Sequence, residues 1–208
     1  MNQAAIAETW IERPMSLEEW GVLPEDEPGE LVDGWLVEEE EVGYAHEVSG
    51  AWLIRLIYAW IGPQGGFVGG SDARFAVKRT QGRKADITVY FPKSRKPPPQ
   101  GLIHLPPDIA IEIVSPTPRD GRRDRVEKVK EYAAFAVKWY WIVDPQLRTL
   151  EILELGADGR YVHALDIADG VIESVPGCEG LTLDLDALWA ELDRLSAEGG
   201  ESDGERAE

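Results

Sequence analysis

Pro107-Asp108-Ile109-Ala110-Ile111-Glu112-Ile113-Val114-Ser115-Pro116 is a β-branched, apolar run bounded by prolines, with one carboxylate at its centre. Such a run reads as a buried strand. With side chains alternating across a strand, Ile109, Ile111 and Ile113 share one face, and Ala110, Glu112 and Val114 share the other. The isoleucine face is expected in the core, and the opposite face, small beside its acid, leaves room for a metal, water or substrate. An ionised carboxylate in that setting costs several kcal/mol unless a partner or a metal compensates it. A second acid, Asp86, opens another β-type run, Asp86-Ile87-Thr88-Val89-Tyr90-Phe91. A hard cation such as Mg²⁺ takes oxygen ligands and one or two carboxylates, so Asp86 and Glu112 together suggest a metal site.

Elements on either side assemble around these two strands. Ser16 with Glu19 forms a capping-box pattern for a short helix through Trp20. Glu30-Leu31-Val32 and Trp35-Leu36-Val37 flank the turn dipeptide Asp33-Gly34, a hairpin signal. The stretch 44–61 predicts a helix, with Val48, Trp52, Leu56 and Trp60 every four residues, the stripe widened by Ala51, Leu53 and Ile57. Strands are expected at 66–68, 73–77, 86–91 and 108–114, a basic proline-rich loop at 93–101, and a second long helix at 122–136 with Val126, Val129, Ala133 and Ala136 on one face. A strand at 138–143, a hairpin across Asp158-Gly159 and a closing helix at 185–195 follow. The strand-helix-strand passage from Glu112 to Trp139 is long enough for a parallel crossover. The hairpins require antiparallel pairs, so the expectation is an α/β (α+β) domain with a mixed β-sheet flanked by helices.

Composition narrows the function. No apolar run approaches the roughly 20 residues that span a bilayer, the first ten residues lack a signal-peptide pattern, and Cys178 is the single cysteine. These features predict a cytoplasmic protein. A net charge of −18 argues against a protein that coats nucleic acid generally. Yet residues 74–130 hold 14 of the 21 Lys and Arg against 6 Asp and Glu. That excess is either chance clustering of solvated charge or a positive rim around an anionic substrate.

Several of these segments together are similar to a known family. Asp86, the 107–117 strand, Lys128-x-x-x-Tyr132 and Trp141-Ile142-Val143-Asp144-Pro145 resemble the Uma-two family, described as putative restriction endonucleases of the PD-(D/E)XK nuclease superfamily. Glu30-Leu31-Val32-Asp33-Gly34 resembles its first hairpin and His46 the histidine opening its first long helix. The resemblance implies a restriction-endonuclease-like mixed sheet with an added N-terminal hairpin. The resemblance runs from about Glu30 to Trp189; with the composition of the two ends, the expected division is an arm with a short helix (1–28), a restriction-endonuclease-like domain (29–195) and an acidic disordered tail (196–208). The resemblance also implies that Asp86 and Glu112 bind Mg²⁺ or Mn²⁺, with the carbonyl of Ile113 as an extra ligand, and that the substrate is nucleic acid, DNA in particular.

The lysine that the superfamily motif places two residues after the glutamate is Val114 here, and Ala85 stands where proline usually precedes the aspartate. The lysine's role is expected to pass to Lys128, with Lys130 on another side of the helix as the substitute. Lys128 could equally form a surface pair with Asp124, worth about 0.3–0.5 kcal/mol. Glu30 is an accessory candidate through a water, or simply solvated. His46 either orients a phosphate or satisfies local backbone groups. The Trp139-Tyr140-Trp141 run reads as core and interface packing rather than a base-stacking platform, and its apolar edge suggests a homodimer. The competing reading is a weak or inactive binding or assembly protein on a nuclease fold.

Overall fold

The structure, a computed structural model, describes residues 13–24, 29–37, 42–116 and 122–199. Residues 200–208 of the expected disordered tail fall outside them, while 196–199 belong to the closing helix rather than to a tail; residues 1–12 and 25–28 of the expected arm also fall outside.

The Glu112 run forms β7 (Ile109–Ile113), buried at all five positions. It lies inside a six-stranded sheet with β3 (Phe67–Gly69), β6 (Ile87–Tyr90), β8 (Trp139–Asp144), β9 (Thr149–Leu155) and β10 (Tyr161–Ile167), in the order β10-β9-β8-β7-β6-β3. Every pair is antiparallel except β7 with β8, where the crossover makes a parallel pair with Glu112 opposite Ile142. The mixed sheet read from the sequence is therefore present.

The isoleucine face is core. Ile109, Ile111 and Ile113 pack with Leu53 and Ile57 of helix α2 (Tyr44–Ile61) and with Leu188 and Trp189 of the closing helix α4 (Leu185–Gly199). The α2 stripe is rotated slightly from the expected one: Ser49, Leu53, Ile57 and Ile61 are buried, while Trp52, Leu56 and Trp60 flank them half-buried.

The other face departs from expectation. Ala110 and Val114 are not beside open space; they pack with Tyr132, Tyr140, Val137 and Ile142 in a second core layer. The crossover helix covers it, as π-helical turns over Arg123–Lys128 running into α3 (Val129–Ala134). Its inward residues are Asp124, Lys128, Glu131 and Tyr132, whereas Val126 is 44% exposed. The helix thus buries a charged row at i, i+4 and i+7 with Tyr132 at i+8, the opposite of an apolar-periodicity reading. β8 lies between β7 and β9 and is buried throughout, so Trp139–Val143 is not a sheet edge and offers no dimer surface.

A second sheet was not expected. The hairpin β1 (Glu30–Val32) and β2 (Trp35–Val37) joins β4 (Phe75–Lys78) and β5 (Gln81–Arg83) in the order β2-β1-β5-β4. The hairpin turn is the one the sequence implies: Asp33 and Gly34 have φ of 51° and 83°, as a two-residue loop of type I′ demands. Gln81-Gly82-Arg83 lacks β-branched residues, which hides β5 from propensity. Helix α1 (Leu17–Gly21), closed by the expected Ser16–Glu19 capping box, packs on this sheet through Trp20. A short third ladder pairs β11 (Val171–Ile172) with β12 (Leu183–Asp184). Among the described residues no helix is long and apolar enough to cross a membrane.

Gly82 makes this docking close. A Cβ there would stand 2.3 Å from Trp20 Cζ3. Gly82→Ala is expected to lower stability by about 1–3 kcal/mol through overpacking. Chemical denaturation checks it, and an unmoved midpoint would show that α1 is loosely held.

Candidate functional site

Asp86 immediately precedes β6, and β6 pairs with β7 so that Ile87 faces Ile111. Continuing that register by one residue sets Asp86 opposite Glu112, on the same side of the sheet. The junction is fixed by the Ile113 N–H, which donates to Asp86 Oδ2 at 2.7 Å. Both acids, with Ile113, Ser115, His46, Asp124 and Lys128, line a cavity of about 120 Å³. The two sequence-predicted carboxylates therefore do converge.

Glu112 is 2% exposed, and both its oxygens are engaged. The Tyr132 hydroxyl donates to Oε1 at 2.6 Å, and Lys128 Nζ lies 2.8 Å from Oε2. The ammonium also meets Asp124 Oδ1 at 3.3 Å and Glu30 Oε1 at 3.8 Å. The Asp124–Lys128 pair is consequently not the surface pair of a solvated helix; both residues are 3% exposed. Lys130, in contrast, is on the exposed side of α3.

Glu30 is not solvated either. Its Oε2 accepts from Arg83 Nη1 at 2.6 Å and its Oε1 from the Lys84 N–H at 2.9 Å. Arg83 turns its remaining donors on Glu131, with Nε to Oε2 at 2.6 Å and Nη2 to Oε1 at 3.1 Å. Arg83 thus ties the second sheet to α3 beneath Lys128. The sequence reading missed Arg83, Asp124, Glu131 and Tyr132. Asp124 and Tyr132 left a signal, each lying four residues from Lys128, but neither was read as part of the site.

The electrostatics follow from burial and crowding. Desolvation pushes the Glu112 carboxyl well above its ordinary range; Lys128 opposes this, while Asp86, Asp124 and Glu30 add to it. Desolvation likewise raises Asp124 against the pull of Lys128. Burial disfavours the Lys128 ammonium, but Glu112, Glu30 and Asp124 outweigh it and drive its pKa up. Burial also raises Glu30, yet Lys128 and Arg83 bring it below its usual value. His46, at the start of α2, places Nε2 3.3 Å from Asp86 Oδ2. Burial alone would lower the imidazole pKa, and the Asp86 hydrogen bond and charge instead raise it.

The mixed sheet flanked by helices is a nuclease-type fold, and on it Asp86 and Glu112 line one cavity with Lys128. The chain belongs to the Uma2 family, described as "Putative restriction endonuclease", which it matches over residues 16–186. It is also similar in structure to a protein described as "a putative nuclease belonging to DUF820" from Anabaena variabilis ATCC 29413. That likeness has a TM-score of 0.68 at 19% identity, covering 86% of this chain and 99% of the other, and shows the fold. No curated protein matches the sequence.

Lys128→Met strands Glu112, Asp124 and Glu30 without their shared cation. It is expected to cost about 3–5 kcal/mol at neutral pH, with part recovered on adding Glu112→Gln. A double-mutant cycle measures this; additive effects would show that the two side chains are not coupled.

His46 gives a pH-dependent outcome. Its pKa is raised on folding, so the stability it contributes is complete below about pH 6.5 and is lost as pH rises through the folded value. NMR titration of the imidazole in metal-free buffer should place its midpoint above that of an unfolded histidine. A midpoint at or below it would contradict the Asp86 contact.

Proposed function

We propose that this protein is a metal-dependent endonuclease that hydrolyses phosphodiester bonds in DNA. One observation carries the reading: Asp86 and Glu112 meet on one small cavity with a buried ammonium 2.8 Å from Glu112. The donor set fits a hard cation. Asp86 and Glu112 would hold Mg²⁺ or Mn²⁺, with the Ile113 carbonyl as a third oxygen. Among the described residues no three Asp, Glu, His or Cys side chains are grouped to hold an ion by themselves, but Mg²⁺ usually takes one or two carboxylates and keeps its waters. The like-charged crowding that raises Glu112 is also what a dication relieves. When bound, the ion supplies charge neutralisation at the phosphate and a water of lowered pKa.

The chain's own groups fill the remaining roles. With its pKa raised, Lys128 keeps its proton at neutral pH, so it serves as a donor and positive charge toward the developing phosphate oxyanion rather than as a base. Its route onto the cavity from the crossover helix supports its standing in for the missing lysine at Val114. Tyr132 orients Glu112, and His46 orients Asp86 from α2. Glu30 acts through Lys128, as a positioning residue rather than a metal contact. A homodimer would need a surface other than β8.

A second reading has its own observation. Both Glu112 oxygens are satisfied inside the protein, which suits a structural carboxylate in a catalytically silent binding or assembly protein. Titration calorimetry with Mn²⁺ separates the two, since a silent protein binds none with its fold intact. For the nuclease, cleavage of plasmid or oligonucleotide DNA should require Mg²⁺ and vanish in Glu112→Ala. Lys128→Ala should lower the rate by about 10²–10³-fold, the scale of losing one oxyanion-stabilising donor. Equal cleavage by wild type and Glu112→Ala would point to a contaminating enzyme and end the proposal.

A further inference from the structure

Two cavities, not one, open on Lys84. It lies on the wall of the carboxylate cavity and also on that of a larger one of about 670 Å³, and Asp72 is shared in the same way. The larger cavity runs between β3, β6 and the proline-rich loop, and its volume falls in the range of about 300–1,000 Å³ typical of small-ligand sites. Phe67, Val68, Tyr90 and Ile103 give it apolar walls, and Lys96 stands at its side.

Lys84 itself is 7% exposed. Its backbone N–H serves Glu30, but no carboxylate among the described residues pairs with its ammonium. The residue is buried, yet its ammonium is not among the sealed polar atoms that lack a partner, so it opens on the junction of the two cavities and offers a positive charge to an anion there. Phe67, by contrast, is 46% exposed, with Lys96 Nζ 5.7 Å from its ring centroid. A half-exposed aromatic ring and a lysine on the walls of one cavity match the two halves of a nucleotide, its base and its phosphate.

We propose that the larger cavity takes one unpaired nucleotide of a single-stranded DNA, with Lys84 binding a phosphate at the junction and the adjoining base lying against Phe67. The identity of the neighbouring site rests on the nuclease reading above. An apolar wall rewards only a base whose face is uncovered, and in a duplex that face is already stacked. The acids and Lys128 are also recessed, at 2–3% exposure for Glu112 and Lys128, and a strand that bends can reach them. Base–aromatic stacking beside a basic groove is the usual means of holding single strands.

Fluorescence anisotropy with the full chain in EDTA, where binding is read without Mg²⁺-dependent cleavage, tests this. The probes are a labelled single strand of about 12 nucleotides, within the span such grooves cover, and the duplex of the same sequence. The single strand should bind at least about tenfold tighter, and Phe67→Ala should weaken it by roughly 5- to 150-fold, with Phe67→Trp restoring it. Lys84→Met should make the slope of log affinity against log salt shallower by about 0.7, the loss of one phosphate contact on a single strand. Equal affinity for duplex, or single-strand affinity and slope unmoved in folded Phe67→Ala and Lys84→Met, overturns the proposal. If that overturning result comes with Mg²⁺-dependent cleavage that needs Glu112, only this proposal falls. Phe67- and Lys84-dependent single-strand binding with no cleavage sinks the nuclease reading and leaves this one standing.

Discussion

The ammonium of Lys128, sealed from water and shared by Glu112, Asp124 and Glu30, is the contact on which the local architecture depends. Three carboxylates cannot be buried together without a cation, because each ionised group loses its hydration and repels the others. With Lys128 among them, the crossover helix can turn a charged face toward the sheet. That explains why the helix buries Asp124, Lys128 and Glu131 and leaves Val126 in solvent. The π-helical turns over Arg123–Lys128 lie in this same stretch.

The second sheet gives this cluster its footing. Arg83 reaches from β5 to Glu30 on β1 and to Glu131 on α3, so one guanidinium joins the second sheet to the crossover helix. Its planar fork suits two carboxylates at once, which a lysine could not match. Charge in the middle of the chain is therefore only partly a rim for substrate. Arg83, Lys84 and Lys128 are inside the protein, and Arg125 is bound to Asp144 and Glu151. Part of the basic excess that suggested a nucleic-acid surface is thus spent holding buried acids, while Lys78, Arg79, Lys93, Arg95, Lys96, Arg122 and Lys130 stay exposed and Lys84 lies at a cavity junction.

Membership of the Uma2 family and the likeness to a solved cyanobacterial protein agree with the layout of sheet and helices. At Val114 the strand itself carries no cation. Val114 is 6% exposed and packs in the second core layer, while Lys128 arrives over the same strand from the helix that follows. A cation can enter a cleft from a strand or from a helix laid across it, and the carboxylate receives it equally.

Sequence alone determined the strand with its interior acid, the partner acid at the head of β6, the hairpin at Asp33-Gly34, the parallel crossover and the 44–61 helix. Each of these is written in local periodicity or in turn chemistry, which adjacent residues fully specify. Tertiary structure decided the remainder. Propensity hid β5, since Gln81-Gly82-Arg83 gains its strand conformation from its neighbours in the sheet. Apolar spacing misplaced the inner face of the crossover helix, because a burial pattern made of charge becomes favourable only when partners 16 and 98 residues away, Glu112 and Glu30, supply the opposite sign. The position of Trp139–Val143 inside the sheet rather than at its edge, and the meeting of two cavities at Lys84, likewise exist only once distant strands are side by side.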